Sequence, residues 1–437
     1  MNTQTFVGRF KKWQVLLGVI VIIATLVFAR GLNEPKLMVA LITGSLLGYT
    51  LTRSRFGFAG GIKRIYVRGE GSLTKAILIS LAIAAVLFTY IQYKASVGGA
   101  LPAYMAGEGV DIIPGTQNVH MVNIATIVGA FIFGIGMIIA GGCASGTLAD
   151  FGEGEGHAII ALPFFILFTI PGHYLREVID RNPIGEIGVK AYLPDYFGHF
   201  GALIITLAGL IFLYYLTKSY ERMRKAEGTY LDPKSDYEDF EKELTDSVET
   251  ESTFWAIYHK LFVERWSFNT GAVILSVISA GYLVFNGKAW GVTSSFTKMA
   301  VWFVGLFGVN FADPAFASIN ETVAKGILND GGVLLNIGII IGALVAFLMA
   351  GRFNFNFEFD SRNALLFSLG GICMGFGSRL AKGCNIGAFY SSIPNFSISG
   401  WIFMVSISLG AVAALKLFAG YKSCLVPPRH RHPDDFK

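Results

Sequence analysis

The sequence predicts an all-α polytopic membrane protein with about ten spanning helices, arranged as two inverted repeats with re-entrant half-helices. Three observations lead there. Of 437 residues, 53% are apolar and only 15% charged, against about 25% charged in a soluble protein, so a water-soluble fold would have too little polar surface to cover itself. Apolar runs of about 17–20 residues recur along the chain, long enough to cross a hydrocarbon core about 30 Å thick. A glycine–cysteine motif also occurs twice, once in each half. These features exclude a soluble enzyme, a disordered chain and a disulfide scaffold. The net charge of +5 is accounted for by loop placement, so the expected surroundings are membrane lipid and no nucleic acid.

The first apolar run, 13–30, follows Arg9, Lys11 and Lys12. Phe28-Ala29-Arg30 is a poor cleavage site, so the run is expected to be a membrane helix rather than a removed leader. Further spans are expected at 36–52, 73–92, 121–141, 158–175, 200–217, 270–286, 332–350, 363–381 and 397–420. Lys and Arg in the loops set the orientation. With the N-terminus inside, loop 53–72 falls inside with Arg53, Arg55, Lys63, Arg64 and Arg68, whereas loop 93–120 falls outside with only Lys94. Segment 218–265 carries eight Lys or Arg and an acidic stretch from Asp236 to Glu251. It cannot enter lipid and reads as a solvated cytoplasmic connector. The chain thus divides into an N-terminal membrane half (1–217), a charged cytoplasmic linker (218–265), and a C-terminal membrane half with a short cytoplasmic tail (266–437). Both termini are expected in the cytoplasm.

The halves share one motif without gaps. Gly134, Gly136, Ala140, Gly142, Cys143 and Gly146 match Gly375, Gly377, Ala381, Gly383, Cys384 and Gly387. A weaker match pairs Gly57-Phe58-Ala59-Gly60-Gly61 with Gly291-Val292-Thr293-Ser294-Ser295. Loop counting runs the helix before Cys143 outside to inside and the helix before Cys384 inside to outside. Such inverted copies place equivalent sites near the midplane, as transporters and channels do. Gly134, Gly136, Gly375 and Gly377 are expected to let helices approach closely. Gly142-Cys143 and Gly383-Cys384 each end an apolar run and precede a segment too short to span, 144–150 and 385–392. Non-helical backbone at that depth must be buried in protein or line a wet cavity, and its free amides can face an anion.

Candidate pathway residues follow from these breaks: Cys143 and Cys384, with Gly142, Ser145, Gly383 and Asn385 beside them. A thiol is a weak donor and a polarisable group, suited to a soft sulfur or selenium atom. Arg379 and Lys382 precede Cys384 by five and two residues, and cations at membrane depth are costly and usually functional; snorkelling to the interface is the alternative. Lys382 lies closer in sequence to the cysteine. Asp150, Glu153 and Glu155 near the first motif would repel an anion and are assigned to the cytoplasmic vestibule, while His120, His157 and His173 read as interfacial. Cys373 occurs in one copy and reads as packing; Cys424 is assigned no role. There is no CxxC, metal-ligand spacing or Walker motif, so no metal or cofactor is expected and the chain is not read as an enzyme. A sulfur-anion transporter, a membrane thiol oxidoreductase and a channel or permease for another small anion remain as alternatives.

The strings Ala-Gly-Gly-Cys-Ala-Ser-Gly at 140–146 and Gly-Cys-Asn-Ile-Gly-Ala-Phe-Tyr at 383–390 resemble the YeeE/YedE sulfur-transport family of bacterial inner-membrane proteins. Asn33-Glu34-Pro35-Lys36-Leu37 and Ile393-Pro394-Asn395-Phe396-Ser397 add to the resemblance, which covers the membrane segments but not the linker. It implies uptake of thiosulfate or a related sulfur or selenium anion, passed along by pathway cysteines whose thiols hydrogen-bond the cargo. Cys143 and Cys384 match the two central cysteines. Some members carry a third cysteine near the position occupied here by Gly57. The resemblance further implies, in some systems, delivery to a small cytoplasmic sulfur-carrier protein.

Overall fold

The computed structural model describes residues 11–232, 241–243, 253–357 and 359–419, with the backbone alone at Ile184. Cys424, the tail and much of the acidic stretch lie outside the described residues.

The N-terminal half contains α1 (Lys12–Arg30), α2 (Pro35–Ser54), α3 (Phe58–Arg68), α4 (Ser72–Val97), α5 (Ile124–Ile139), α6 (Ala144–Glu153), α7 (Gly156–Asp180), the single turn α8 (Pro183–Glu186) and α9 (Leu193–Ala226). After the short α10 (Thr253–Tyr258) come α11 (Phe268–Asn286), α12 (Thr293–Gly305), α13 (Ala317–Ala324), α14 (Gly331–Met349), α15 (Ser361–Leu380), a π-helical turn at Asn385–Tyr390, and α16 (Ile398–Leu417). Among the described residues, nine segments are long and apolar enough to cross a membrane, and two of these are composite: Ile124–Glu153 joins α5 to α6, and Ser361–Tyr390 joins α15 to the π turn. The tenth expected span is α2, a helix of 20 residues and so about 30 Å long. Its Thr, Ser and Gly residues make it less apolar, and its inner face is buried against protein.

The chain is a multi-pass, all-α membrane protein; among the described residues β pairing is confined to isolated bridges such as Val122 with Val189. The linker boundary expected at 217/218 lies inside a helix, because α9 runs on to Ala226. The polar end of α9 is held at its base: Arg224 is buried and donates to the carbonyls of Tyr66 and Val67 at the end of α3. Further along the linker, Glu241 pairs with Arg352 after α14.

Glycines set the closest helix contacts. A Cβ on Gly342 of α14 would lie 1.9 Å from the carbonyl oxygen of Ser45 in α2, and one on Gly48 would lie 2.0 Å from that of Ile339. The motif glycines behave alike: Gly134 meets Ile407 of α16, Gly136 meets Met374, Gly375 meets Phe165 of α7, and Gly377 meets Gly129, all through backbone atoms. Close approach without side chains is the usual way membrane helices gain packing. α5 and α15 run antiparallel, since Gly129 faces Gly377 and Ala381 while Gly136 faces Gly370.

The helix pairs come in corresponding sets. α2 packs on α14 as α11 packs on α4; α7 packs on α15 as α16 packs on α5; α12 packs on α7 as α3 packs on α16.

Candidate functional site

Both motif breaks are formed by backbone that continued helix cannot supply. After Ile139 the chain passes through Gly141 at φ 89°, a left-handed value suited to glycine, and Cys143 is extended before α6 begins. In the second half Lys382 takes φ 59°, and Cys384 is extended before the π turn. Space is tightest at Gly383, where a Cβ would lie 2.7 Å from the amide nitrogen of Ala388; one on Gly142 would lie 3.1 Å from the movable Asp150 Oδ2. The two following segments differ, being a ten-residue helix after Cys143 and a six-residue π turn after Cys384.

The cysteines therefore sit at the N-caps of these segments. Neither segment has a side-chain cap. The first amides of α6 thus lack intrahelical partners and lie at the positive end of the helix dipole. Cys143 is 1% exposed and Cys384 fully buried; both are free thiols. Cys143 Sγ lies 3.5 Å from Ser145 Oγ. The amides of Ile386 and Gly387 reach the sulfur of Cys384. The structure thus brings Cys143, Cys384, Ser145 and the start of the π turn together.

Asn385 donates through Nδ2 to Met137 Sδ at 3.8 Å, while its buried Oδ1 has no hydrogen-bond partner. The hydroxyl of Thr147, one turn into α6, is likewise buried and unpartnered. Buried polar groups are normally satisfied, and these two atoms, close in sequence to the two cysteines, are not. A Cβ added to Gly57 or to Gly387 would meet no atom within 4 Å.

Cations gather at the opposite end of α5 from its break. Arg176 of α7, 1% exposed, donates through Nη1 to Thr126 Oγ1 at 3.0 Å and to the Leu380 carbonyl at 2.9 Å. Its Nε lies 2.8 Å from Asp180 Oδ1, and Lys382 Nζ lies 2.5 Å from Asp180 Oδ2. Arg379 makes no ion pair among the described residues. Its Nη2 lies 3.2 Å from His173 Nδ1, and its Nε is buried without a partner. His120 borders the group; burial, with Lys382, Arg176, Arg379 and Lys190 around it, pushes its imidazole down to about 3, so it adds no charge near neutrality. Sequence distance favoured Lys382 as the cation for the cysteine. The structure pairs Lys382 with Asp180, whereas Arg379 contacts His173.

Two of the acidic residues near the first motif have partners where they stand. Glu153 is buried, 2.7 Å from Arg55 and 2.8 Å from the Thr52 hydroxyl, and Asp150 lies 3.2 Å from His157. Cys373 packs beside Gly136, whose added Cβ would lie 2.9 Å from the cysteine Cβ.

Sequence reasoning missed Arg176, Met137 and Thr147. A signal was present for the first: His173, Arg176 and Asp180 are spaced three and four residues apart, a polar stripe at helical spacing on an otherwise apolar segment. Met137 carries no such mark, because its contact with Asn385 spans the two halves, and the burial of Thr147 is set by packing rather than by a local pattern.

A family model described as sulphur transport matches residues 53–413. The chain is 27% identical over 387 residues to the thiosulfate transporter TsuA of Escherichia coli strain K12, covering 86% of this chain and 92% of that protein. It is 24% identical over 377 residues to the thiosulfate transporter TsuA of Spirochaeta thermophila, covering 85% and 95%. A probable transporter of Escherichia coli, YedE, is 28% identical over 153 residues, 35% of this chain and 38% of that protein.

Proposed function

We propose that this chain, which belongs to the sulphur transport family, takes up thiosulfate or a closely related sulfur or selenium anion across the bacterial inner membrane along a path between Cys384 and Cys143. The observation that carries this is the placement of two reduced, buried cysteines at the N-caps of the two short segments. Full-length similarity to two thiosulfate transporters supports the choice of cargo.

The chemistry follows from the geometry. An anion leaving water loses hydration, and Arg379, with Arg176 and Lys382 beside it, offsets part of that loss at one mouth. Within the membrane the available donors are neutral: two thiols, the Ser145 and Thr147 hydroxyls, and the first amides of α6. Thiols and hydroxyls are weaker donors than ammonium or guanidinium groups, so the anion is handed on rather than trapped. No bond to the cargo forms or breaks, and both cysteines stay reduced.

Two inverted repeats are part of the same proposal. The corresponding helix pairs support it, as does the antiparallel run of the matched helices α5 and α15. A two-fold relating antiparallel neighbours lies across them, and hence in the membrane plane. Both termini and linker 218–265 then face the cytoplasm, where the linker offers a surface to a small sulfur-carrier protein.

The deciding experiment is growth of a host lacking its own sulfur uptake on thiosulfate, sulfite, sulfate or selenite, paired with uptake of radiolabelled thiosulfate. Thiosulfate-dependent growth that requires the protein is expected. Labelled thiosulfate excluded as fully as by the empty host would overturn the proposal.

A further inference from the structure

The π turn after Cys384 is too short to hold itself. Its six residues, Asn385–Tyr390, are closed by the Ser391 amide on the Ile386 carbonyl at 2.7 Å. A single turn fixes several backbone residues for few hydrogen bonds of its own, so it depends on support from outside. Asn118 Nδ2 and Ser392 Oγ both donate to the Gly387 carbonyl, at 3.1 and 2.9 Å. Ser391 Oγ donates to the Trp290 carbonyl at 2.7 Å. On the other side the turn is open: a Cβ on Gly387 would meet no atom within 4 Å.

Tyr390, the last residue of the turn, makes the longest reach. It is 1% exposed. Its hydroxyl lies 2.7 Å from Ser80 Oγ of α4, and Ser80 Oγ lies 2.8 Å from Ser276 Oγ of α11. Both serines are fully buried. Each of these hydroxyls can donate one hydrogen and accept another, so the three form a closed polar chain within apolar surroundings. The ring is held as well, edge-on to Phe58 at 5.4 Å and to Trp290 at 6.1 Å between centroids. Phe58 opens α3, and Trp290 stands three residues before α12. One side chain thus ties the π turn to the α4–α11 pair and to the starts of both α3 and α12.

That tie bears on the thiol at the other end of the turn. The Ala388 amide donates to the Cys384 carbonyl at 2.9 Å, and the amides of Ile386 and Gly387 reach the Cys384 sulfur. Those amides keep their aim only while the turn keeps its wide form. With the Tyr390 hydroxyl removed, the turn loses its bond to α4 while the open side at Gly387 gives it room to shift.

We propose that Tyr390 is a positioning residue: anchored on the Ser80 hydroxyl, it holds the π turn in the form that fixes the Cys384 thiol. Its bearing on cargo rests on the transport proposal; its hold on the thiol does not.

The test reads the cysteines one by one. The native chain and its variants are treated with N-ethylmaleimide in detergent, and alkylation of Cys143 and Cys384 is timed separately by peptide mass spectrometry. Tyr390→Phe removes the hydroxyl and keeps the ring. It should speed alkylation of Cys384 about fivefold, the factor that one buried hydrogen bond supplies, with Cys143 changed less than about twofold. Ser80→Ala should match it, and the double variant should add nothing further, because both substitutions delete the same bond. Half-saturation for thiosulfate uptake should rise about fivefold in Tyr390→Phe, with the maximal rate within about twofold of native. A native Cys384 rate in both single variants would overturn the assignment. Equal acceleration at Cys143 would also overturn it, since a general loosening does not select one thiol. An effect of Tyr390→Leu that Tyr390→Phe does not share would place the role in the ring and overturn the hydroxyl anchor. A Cys384-selective change in a protein whose native form transports no thiosulfate would keep the anchor and remove its part in transport. Should Tyr390→Phe fail to fold, Ser80→Ala makes the same comparison from the other end of the bond.

Discussion

Arg379 Nη2 lies 3.2 Å from His173 Nδ1, and the other ring nitrogen of His173 lies 2.9 Å from the Ala315 carbonyl. A guanidinium only donates and a carbonyl only accepts. Nδ1 must therefore accept from Arg379 while Nε2–H donates to Ala315, which defines a neutral imidazole with the proton on Nε2. The histidine holds the guanidinium in place without cancelling its charge. Asp180 plays the contrasting part beside it, pairing with Arg176 and Lys382. The positive end of the path thus contains two cations that share one carboxylate and a third, Arg379, held by a neutral histidine.

That contrast separates two variants. Arg379→Gln should raise the half-saturation concentration for thiosulfate uptake about tenfold or more, which is about 1.4 kcal/mol, with little dependence on ionic strength because the group is enclosed. Lys382 is 32% exposed and already paired, so Lys382→Gln should have a smaller effect that shrinks further in high salt. Uptake kinetics at low and high concentrations of an impermeant salt check both. Equal losses for the two variants, or a loss confined to Lys382→Gln, would reject this assignment.

The cysteines should be less forgiving. A hydrogen bond to a charged partner contributes about 1.5–3 kcal/mol, so Cys143→Ala and Cys384→Ala should each reduce uptake about tenfold to a hundredfold at unchanged expression. Cys373→Ala should stay within about twofold, since that side chain packs beside Gly136. Labelled-thiosulfate uptake, with size-exclusion profiles as a folding control, is the measurement. Normal uptake by both central variants would make them packing residues.

Much of the fold was legible because lipid imposes long apolar segments, and the breaks were legible because glycine and cysteine interrupt them at matched positions. The site was legible only in part. Cys143, Cys384 and Arg379 stand out in the chain, but the competition of Asp180 for Lys382 spans about 200 residues of sequence. The approach of Met137 to Asn385 is equally long-range. Polarity rises at Lys218 while the helix itself continues to Ala226, so a change of composition did not mark a helix end.

Orientation has its own test. Reporter fusions at Met105 and Lys325 should report the periplasm and a fusion at Asp232 the cytoplasm, from the distribution of Lys and Arg in the loops. Paired phosphatase and fluorescent-protein fusions read the two sides. A periplasmic signal at Asp232 would remove the inversion of the repeats and reverse the two ends of the proposed path.

Helix packing gives a prediction independent of transport. A Cβ at Gly342 would lie 1.9 Å from the backbone oxygen of Ser45, whereas one at Gly281 of α11 would meet no atom within 4 Å. Gly342→Ala cannot be absorbed by a flexible side-chain end, because the obstructing atom belongs to the backbone of α2. The two helices must separate, at a cost of about 1–3 kcal/mol or more. Gly281→Ala meets no such obstacle and gains the helix preference of alanine over glycine, about 1 kcal/mol in a helix interior. The two substitutions add the same methyl group to helices of the same length, 19 residues each. Their difference therefore isolates the α2–α14 contact from any general effect of added volume. Thermal midpoints followed by fluorescence-detected size exclusion should fall for Gly342→Ala and hold or rise for Gly281→Ala. A fall of similar size in both would mean that the close α2–α14 approach is not what holds these helices together.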